Sequence, residues 1–521
     1  MAVSTGAAAT TTAWAKDALP WWKDRGLRKL VLWQMCILFS QFLVGYDEVI
    51  VGSFQAMQPW KQAMGNPSSS DVGLITSITF VGGFAGALVA AVPADRFGRR
   101  PAMALGIGME IIGSILQAAA PSRGIFIAGR FVLGCGLSFT TTAGPSLLNE
   151  LAHPRLRGRI AAAFNVLWYL GSILASWLTF GTGHLTTNWS WRIPSIVQSV
   201  APSLLFVAIL FIPESPRWLY SKGRVAEAQA LLVKYHGNGD EGAAIVVLEL
   251  QEIDEALTRE REEQIDSWRN VLRSRANRKR FGIVISVSVL TLWNGQGAIT
   301  YYFSPILTSV GITTTNQQTG INGGMSIWNF LCSALGAYLV DRIGRRPLWL
   351  ASFIGLILAN IPLIVSNAMY VDHGSKSAAY AVVVFMFFYN AAFNIACNPL
   401  LYCYTPEILP YSIRTRGLAL QILVSQAALT VNQYVNPIAL DSIGYWLFVF
   451  YLGVCIMGLA IIWFTFPETK GYNLEELGAL FDDDNTVLKL QERSILHGKD
   501  PEAGHTGDME IVKAVDCKAR G

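Results

Sequence analysis

Twelve stretches of mostly apolar sequence dominate this 521-residue chain: 30–54, 72–92, 102–120, 124–148, 160–182, 193–213, 281–304, 319–340, 347–366, 377–402, 415–437 and 444–466. Each is long enough to cross ~30 Å of hydrocarbon as a helix. A soluble protein with twelve buried helices would need polar sequence to solvate them, and the chain does not have it. Charged residues make up 15% of it and hydrophobic residues 52%, with a mean hydropathy of +0.38. A soluble chain carries about 25% charged residues. An ordinary soluble enzyme and a disordered scaffold are therefore both excluded, and a net charge of +4 leaves no footprint for nucleic acid. The expected fold class is an all-α membrane protein of twelve transmembrane helices.

The arginines orient these spans. The loops after spans 2, 4, 8 and 10 hold Arg96, Arg99, Arg100, Arg155, Arg157, Arg159, Arg342, Arg345, Arg346, Arg414 and Arg416. The loops after the odd-numbered spans hold only Lys61, Arg123, Arg192 and Lys376. By the positive-inside rule the arginine-rich side is cytoplasmic and both termini lie inside. Residues 1–28 have no apolar core of a cleavable signal, so the first span is expected to direct insertion. The sequon Asn188-Trp189-Ser190 then falls outside, close to the membrane.

Three motif pairs repeat. DRFGRRP at 95–101 after span 2 returns as DRIGRRP at 341–347 after span 8. Glu150 stands seven residues before Arg157, as Glu407 stands before Arg414. PESPR at 213–217 closes span 6, and PETKG at 467–471 closes span 12. The implied organisation is a tail at 1–29, a six-helix bundle at 30–213, a charged linker with short helices at 214–280, a second bundle at 281–466 and a tail at 467–521. Parallel repeats of this kind build carriers with the substrate site between the halves at mid-membrane. Asp95, Glu150, Glu214, Asp341, Glu407 and Glu468, beside Arg96, Arg100, Arg157, Arg217, Arg342, Arg346 and Arg414, read as a cytoplasmic gate where the halves meet. Ion pairs there are worth several kcal/mol when shielded and little when wet, so making and breaking them gives two states.

Taken together, these motifs resemble the sugar porter family of the major facilitator superfamily, over about residues 40 to 475. FNVLWYLGSILASWLTFGTG (164–183), PEILPYSIRTRG (406–417) and NQYVNPIALDSIGYW (432–446) look most like the fungal lactose and cello-oligosaccharide permease branch. The resemblance implies a sugar site built from Asn165 in span 5, Asn329 in span 8, Tyr402 in span 10, and Ser425 with Gln426 in span 11. Span 7 departs from it: where the family shows two glutamines and a later asparagine, this chain has Thr291, Leu292 and Gly297. Asn294 and Gln296 are the nearby amides. On an unbroken helix Asn294 shares a face with Thr291, Ala298 and Tyr301, so it can stand in for a lost glutamine. Amides suit a sugar because, like its hydroxyls, they both donate and accept.

Apart from Arg416 at the loop edge of span 11, Asp47, Glu48, Glu110 and Arg130 are the acidic and basic residues within the spans, and an intramembrane charge is a functional hypothesis by default. Asp47 and Arg130 match the family's proton-coupling acid and its arginine. Glu48 and Glu110 are candidate second partners for Arg130. GRFVLGCGLS at 129–138 superficially resembles a dinucleotide motif, but it lies within an apolar helix and follows no strand. Six scattered histidines, and cysteines without C-x-x-C spacing, give no metal set and call for no cofactor. The reading is a proton-coupled importer of a mono- or oligosaccharide, monomeric in a fungal-type plasma membrane, with sugar, protons and the lipid bilayer as its partners. A facilitator, a carrier of a sugar-like polyol or acid, and a non-transporting sensor remain open, whereas no nucleophile–base set suggests an enzyme.

Overall fold

The computed structural model describes residues 21–262, 268–470 and 481, apart from the side chains of 157–159, 161–163, 165, 259–262, 268–270, 341, 402, 411, 412 and 415. Among these, twelve long helices carry the fold. The first six are α1 Arg25–Phe54, α2 Ser69–Arg96, α3 Arg99–Ala118, α4 Arg123–Leu151, α5 Arg157–Thr182 and α6 Trp189–Ile209. The second six are α7 Arg275–Leu292, α8 Thr315–Ile343, α9 Arg345–His373, α10 Lys376–Ile408, α11 Tyr411–Ile443 and α12 Trp446–Thr465. Ten of the described spans are long and apolar enough to cross a membrane. The exceptions are α5, whose apolar part is Val166–Thr182, and α11. Buried Gln421, Asn432, Gln433 and Asn436 make α11 polar, because it packs on protein rather than lipid.

The helix pairings repeat as the motifs do. In the first half α1 packs on α5, α2 on α4, and α3 on α4 and α6; in the second, α7 packs on α11, α8 on α10, and α9 on α10 and α12. Each half has its own core. The second is centred on Trp349, Phe353, Tyr389 and Tyr404, and the first on Leu30, Met103, Leu147 and, farther along, Trp60 and Trp191. A small cluster of Phe80, Tyr301 and Tyr302 bridges them. Two bodies with separate cores can rock against each other without either being unpacked.

Within a half the helices approach until only glycine fits. A Cβ built on Gly45 of α1 would lie 1.9 Å from the Trp168 carbonyl oxygen of α5, and one on Gly171 of α5 would lie 1.9 Å from that of Phe42. Without a hydrophobic force between helices in lipid, such close van der Waals packing is what binds them. Gly171→Ala is expected to cost roughly 1–3 kcal/mol, the usual penalty of overpacking. It should lower the thermal midpoint of the purified protein, and an unchanged midpoint would mean that the α1–α5 contact yields freely.

The halves meet where α2 packs on α11 and α5 on α8. Since α8 repeats α2 and α11 repeats α5, this is one contact used twice. Described contacts across it include Ser70 and Gly73 with Tyr434, Gly83 with Gln426, and Ser176 with Asn322 and Ser326, and beside them Tyr169 of α5 reaches Asn394 and Asn398 of α10. The α2–α11 and α5–α8 contacts lie between the middle of the bundle and the end remote from Asp95 and Asp341, with Tyr169 and its α10 partners near the middle. The described seam is thus closed at that remote end.

Span 7 departs from the expected single helix. It is cut into Arg275–Leu292, Gln296–Tyr301 and Phe303–Ser309. Gly295 sits at φ +93° in the left-handed region, against the Tyr389 hydroxyl and the Tyr451 ring, so glycine alone suits the break. The Asn294 side chain accepts the Gln296 N–H at 3.1 Å, and the Asn294 carbonyl accepts the Tyr389 hydroxyl, which satisfies groups that the broken ladder leaves free. The helical face from Thr291 to Tyr301 that the sequence suggested therefore does not exist.

The linker forms helices Pro216–Ser221, Val225–Tyr235, Ala244–Glu262 and Trp268–Arg273. It packs on the arginine end of the first half: Trp218 Nε1 donates to the Asp95 carbonyl at 3.0 Å, and Asn238 Nδ2 donates to Asp24 at 2.7 Å.

Candidate functional site

The repeated DRxGRR motif makes a capped helix start. Gly98 and Gly344 take φ of +114° and +110° as the N-caps of α3 and α9, and with no side chain they cannot cap. Carboxylates from the PESPR and PETKG motifs do it for them. Glu214 accepts the N–H groups of Arg99 at 3.1 Å and Arg100 at 3.2 Å. Glu468 accepts those of Arg345 at 2.9 Å and Arg346 at 3.0 Å. A carboxylate at a helix N-terminus meets unpaired N–H groups and the positive end of the dipole. Burial pushes the Glu214 carboxyl above its usual range despite these bonds. Burial also raises Glu468, but the N–H groups of Lys470, Arg345, Arg346 and Thr469 outweigh it and hold that carboxyl below the usual range.

The ion pairs at this end lie within each half. Arg99 reaches Asp95 at 3.0 Å and Glu150 at 3.2 Å, and Arg345 reaches Glu407 at 2.8 Å. The Thr469 hydroxyl also donates to Glu407, at 2.5 Å. The latch expected between the halves is thus, in this conformation and among the described pairs, a brace inside each of them. Arg99 and Arg345 were not among the gate residues read from the sequence, although Arg99 stands four residues after Asp95 and Arg345 four after Asp341, each across the glycine turn between two helices. The arginines next to them turn outward along the helices: Arg100 donates to the Leu210 carbonyl, and Arg346 to that of Trp463 at 2.7 Å. Arg96 lies over the Phe97 ring and Arg342 over that of Tyr338, while Arg414 donates to the Leu409 carbonyl at 3.2 Å. Arg217 is in the first turn of Pro216–Ser221. The side chains of Arg157 and Asp341 lie outside the described residues.

Deeper in the first half sit Asp47, Glu110 and Arg130, all buried. Arg130 Nη1 donates to the backbone carbonyl of Asp47 at 3.2 Å, where the sequence suggested its carboxylate. Gln198 of α6 stands beside the Asp47 carboxyl, whose Oδ2 makes no hydrogen bond of full geometry among the described residues. Glu110 accepts the Thr140 hydroxyl at 2.7 Å. Half-buried Glu48 accepts Trp168 Nε1 at 3.1 Å and the Tyr301 hydroxyl at 3.4 Å.

Uncharged amides and hydroxyls line the seam. Gln296 Nε2 donates to Thr300 at 2.6 Å and to Asn390 Oδ1 at 3.4 Å. Asn294 is fully buried in the break of span 7, and Asn329 and Gln426 each hold a buried side-chain oxygen without a described partner. Ser425 is half-buried beside Gln426. The side chains of Asn165 and Tyr402 lie outside the described residues. Sequence reading missed Asn390, Asn394 and Asn398, whose four-residue spacing is a visible signal for one helix face. The Tyr169 hydroxyl of α5 donates to Asn394 Oδ1 at 2.6 Å and accepts from Asn398. Asn322 bridges Ser53 at 3.1 Å and Ser176 at 3.2 Å.

The sugar (and other) transporter family matches residues 33–481. The chain belongs to that family. Relatives within reach include a transporter of the major facilitator type from Aspergillus cristatus, criB, 28% identical over 88% of this chain and 94% of that protein. A high-affinity glucose transporter from Kluyveromyces lactis is 27% identical over 85% of this chain and 83% of its own length. A quinate permease from Neurospora terricola is 28% identical over 85% and 87%. Among solved structures, the inward-open xylose transporter XylE from E. coli superposes with a TM-score of 0.71 at 20% identity, covering 87% of this chain and all of that one. The sugar (and other) transporter family thus fixes a multi-pass membrane carrier of the major facilitator fold, and not an enzyme.

Proposed function

We propose that this transporter imports an uncharged sugar by alternating access, with a proton entering alongside it. One observation carries the reading: the seam between the halves is lined by amides and hydroxyls, and the buried charges stand beside it on α1 and α4. Neutral amides can exchange their interhelical hydrogen bonds for sugar hydroxyls without stranding a charge in the bilayer. Asn165, Asn294, Gln296, Tyr301, Asn329, Tyr402, Ser425 and Gln426 are the proposed sugar contacts. Asp47 is the proposed proton carrier, with Arg130 as its cation. Support comes from neighbours titled a proton:xylose symporter and a high-affinity glucose transporter. The arginine-rich end is taken as cytoplasmic on the positive-inside rule, which makes this conformation inward-facing, with both termini inside a plasma membrane. The motif carboxylates and arginines at that end are the proposed gate, and a monomer is the proposed working unit.

The quinate permease among the relatives favours a second reading, a cyclic polyhydroxy acid as cargo. Such an anion needs a cation in its path. Arg130, the cation of the buried cluster beside the seam, is engaged with the Asp47 backbone, which favours the neutral sugar. Uptake of labelled mono- and disaccharides and of quinate in a transport-null cell, with simultaneous recording of external pH, tests both. Sugar uptake with external alkalinisation is expected; quinate uptake alone, or sugar uptake without proton movement, would overturn the proposal.

Asn329→Ala gives a residue-level check. Losing a hydrogen bond to a buried partner costs ~1–3 kcal/mol, roughly 5- to 150-fold in apparent KM. An unchanged KM at normal surface expression would remove Asn329 from the site.

A further inference from the structure

Glu48 follows Asp47 directly, and neighbours on a helix point about 100° apart. The two carboxylates therefore serve different surroundings. Asp47 is buried within the first half, on the side of Arg130. Glu48 is half-buried and turned to the seam, where a single oxygen, Oε2, takes two donors from different bodies. Trp168 of α5 belongs to its own half, and Tyr301 to the other. Tyr301 ends the short helix Gln296–Tyr301, which the break at Gly295 frees from the rest of span 7.

Tyr301 is where the first half grips that short helix. Besides Glu48, Gln55 Nε2 donates to its carbonyl at 3.0 Å, and the Phe80 ring stands edge-on to its ring at 5.9 Å between centroids. The Glu48 contact is the longest of these hydrogen bonds and the one that depends on charge. A hydrogen bond to an ionised carboxylate is roughly twice as strong as one to a neutral group. The groups facing Glu48 are Trp168 from α5, Tyr301 from the second half, Arg130 from α4 and, on its own helix, Asp47.

We propose that Glu48 transmits the charge of the mid-membrane cluster to the closure between the halves: as a carboxylate it holds Tyr301, and once neutral it lets the Gln296–Tyr301 helix part from α1. Proton entry on the first half then becomes movement on the second. The geometry stands without the symport reading, and the proton's role rests on it.

The test reads conformation without sugar. Phe97 at the end of α2 and Ile343 at the end of α8 are exposed, equivalent positions on the two halves at the arginine end. Spin labels on Phe97→Cys and Ile343→Cys, in the full chain with its native cysteines replaced and reconstituted in lipid nanodiscs, report how far that end is open. Glu48→Gln keeps the size of the side chain and Tyr301→Phe removes only the hydroxyl, so both variants should purify as folded protein. Each is expected to move population from the long to the short distance by roughly 2- to 10-fold, the range of one hydrogen bond. The double variant should move no further than the larger single, because both remove the same contact. Acidification should shift the wild-type distances in the same direction and leave Glu48→Gln unmoved. Additive shifts, or a Glu48→Gln distribution that matches wild type, would overturn the proposal. A carrier without proton coupling would still show the non-additivity while failing the uptake test, so the two ideas fail separately.

Discussion

Asp47→Asn is expected to abolish accumulation of sugar against its gradient. The substitution keeps size and hydrogen-bonding capacity but removes the titratable proton. Arg130 keeps its described bond, because that goes to the Asp47 backbone carbonyl at 3.2 Å. The fold should therefore survive while the coupling does not. In proteoliposomes with an imposed proton gradient the internal-to-external sugar ratio should fall to about 1, since a carrier with no coupled ion can only equilibrate its substrate. Wild-type uptake should rise as external pH falls, and the variant's should stay flat. Exchange of sugar down its own gradient should persist, because the seam amides are untouched. A variant that still concentrates sugar with the wild-type pH response would move the coupling role to Glu48 or Glu110.

A second large effect is expected at the opposite end of the charge pattern. Glu407→Ala removes the acceptor of Arg345 and of the Thr469 hydroxyl together, freeing the start of α9 and the PETKG segment after α12 from the end of α10. The Arg345 and Glu407 side chains are 16% and 27% exposed, so the pair is partly screened. A loss of about 1–2 kcal/mol, roughly 5- to 30-fold in transport rate, is the reasonable scale. Sugar affinity measured on the purified protein should stay close to that of wild type, because the seam is far from this brace. Read from the sequence, the same substitution opens a latch between the halves; the structure moves its effect inside the second half. Transport at the wild-type rate would rule out both.

How far the site was legible follows from the range of each signal. The break in span 7 was half visible: Gly295 and the amides around it stand in the sequence, but the Tyr389 and Tyr451 groups that demand a left-handed glycine come from α10 and α12. Asn390, Asn394 and Asn398 carry a periodicity that could have been read, yet that periodicity cannot say which helix faces them. Tyr169 gave no local signal, since its partners lie 225 and 229 residues away. Arg99 and Arg345 were hidden by their neighbours, because two adjacent arginines look alike until the helix decides which one points at the glutamate.

What the sequence determined by itself is the solvent and the plan. Twelve apolar segments with so few charges can fold only in a bilayer, and three motifs repeated after matching spans can build only two like halves. Those are properties of composition and spacing, which need no contact to be read. What the tertiary structure alone decided is pairing: that the motif carboxylates cap helices and brace each half from within, that the described seam is closed at its remote end, and that Glu48 touches both bodies while Asp47 touches one. The physical reason is directional. A hydrogen bond or ion pair depends on which of several nearby groups a rotamer reaches, and only helices fixed in place by packing settle that choice.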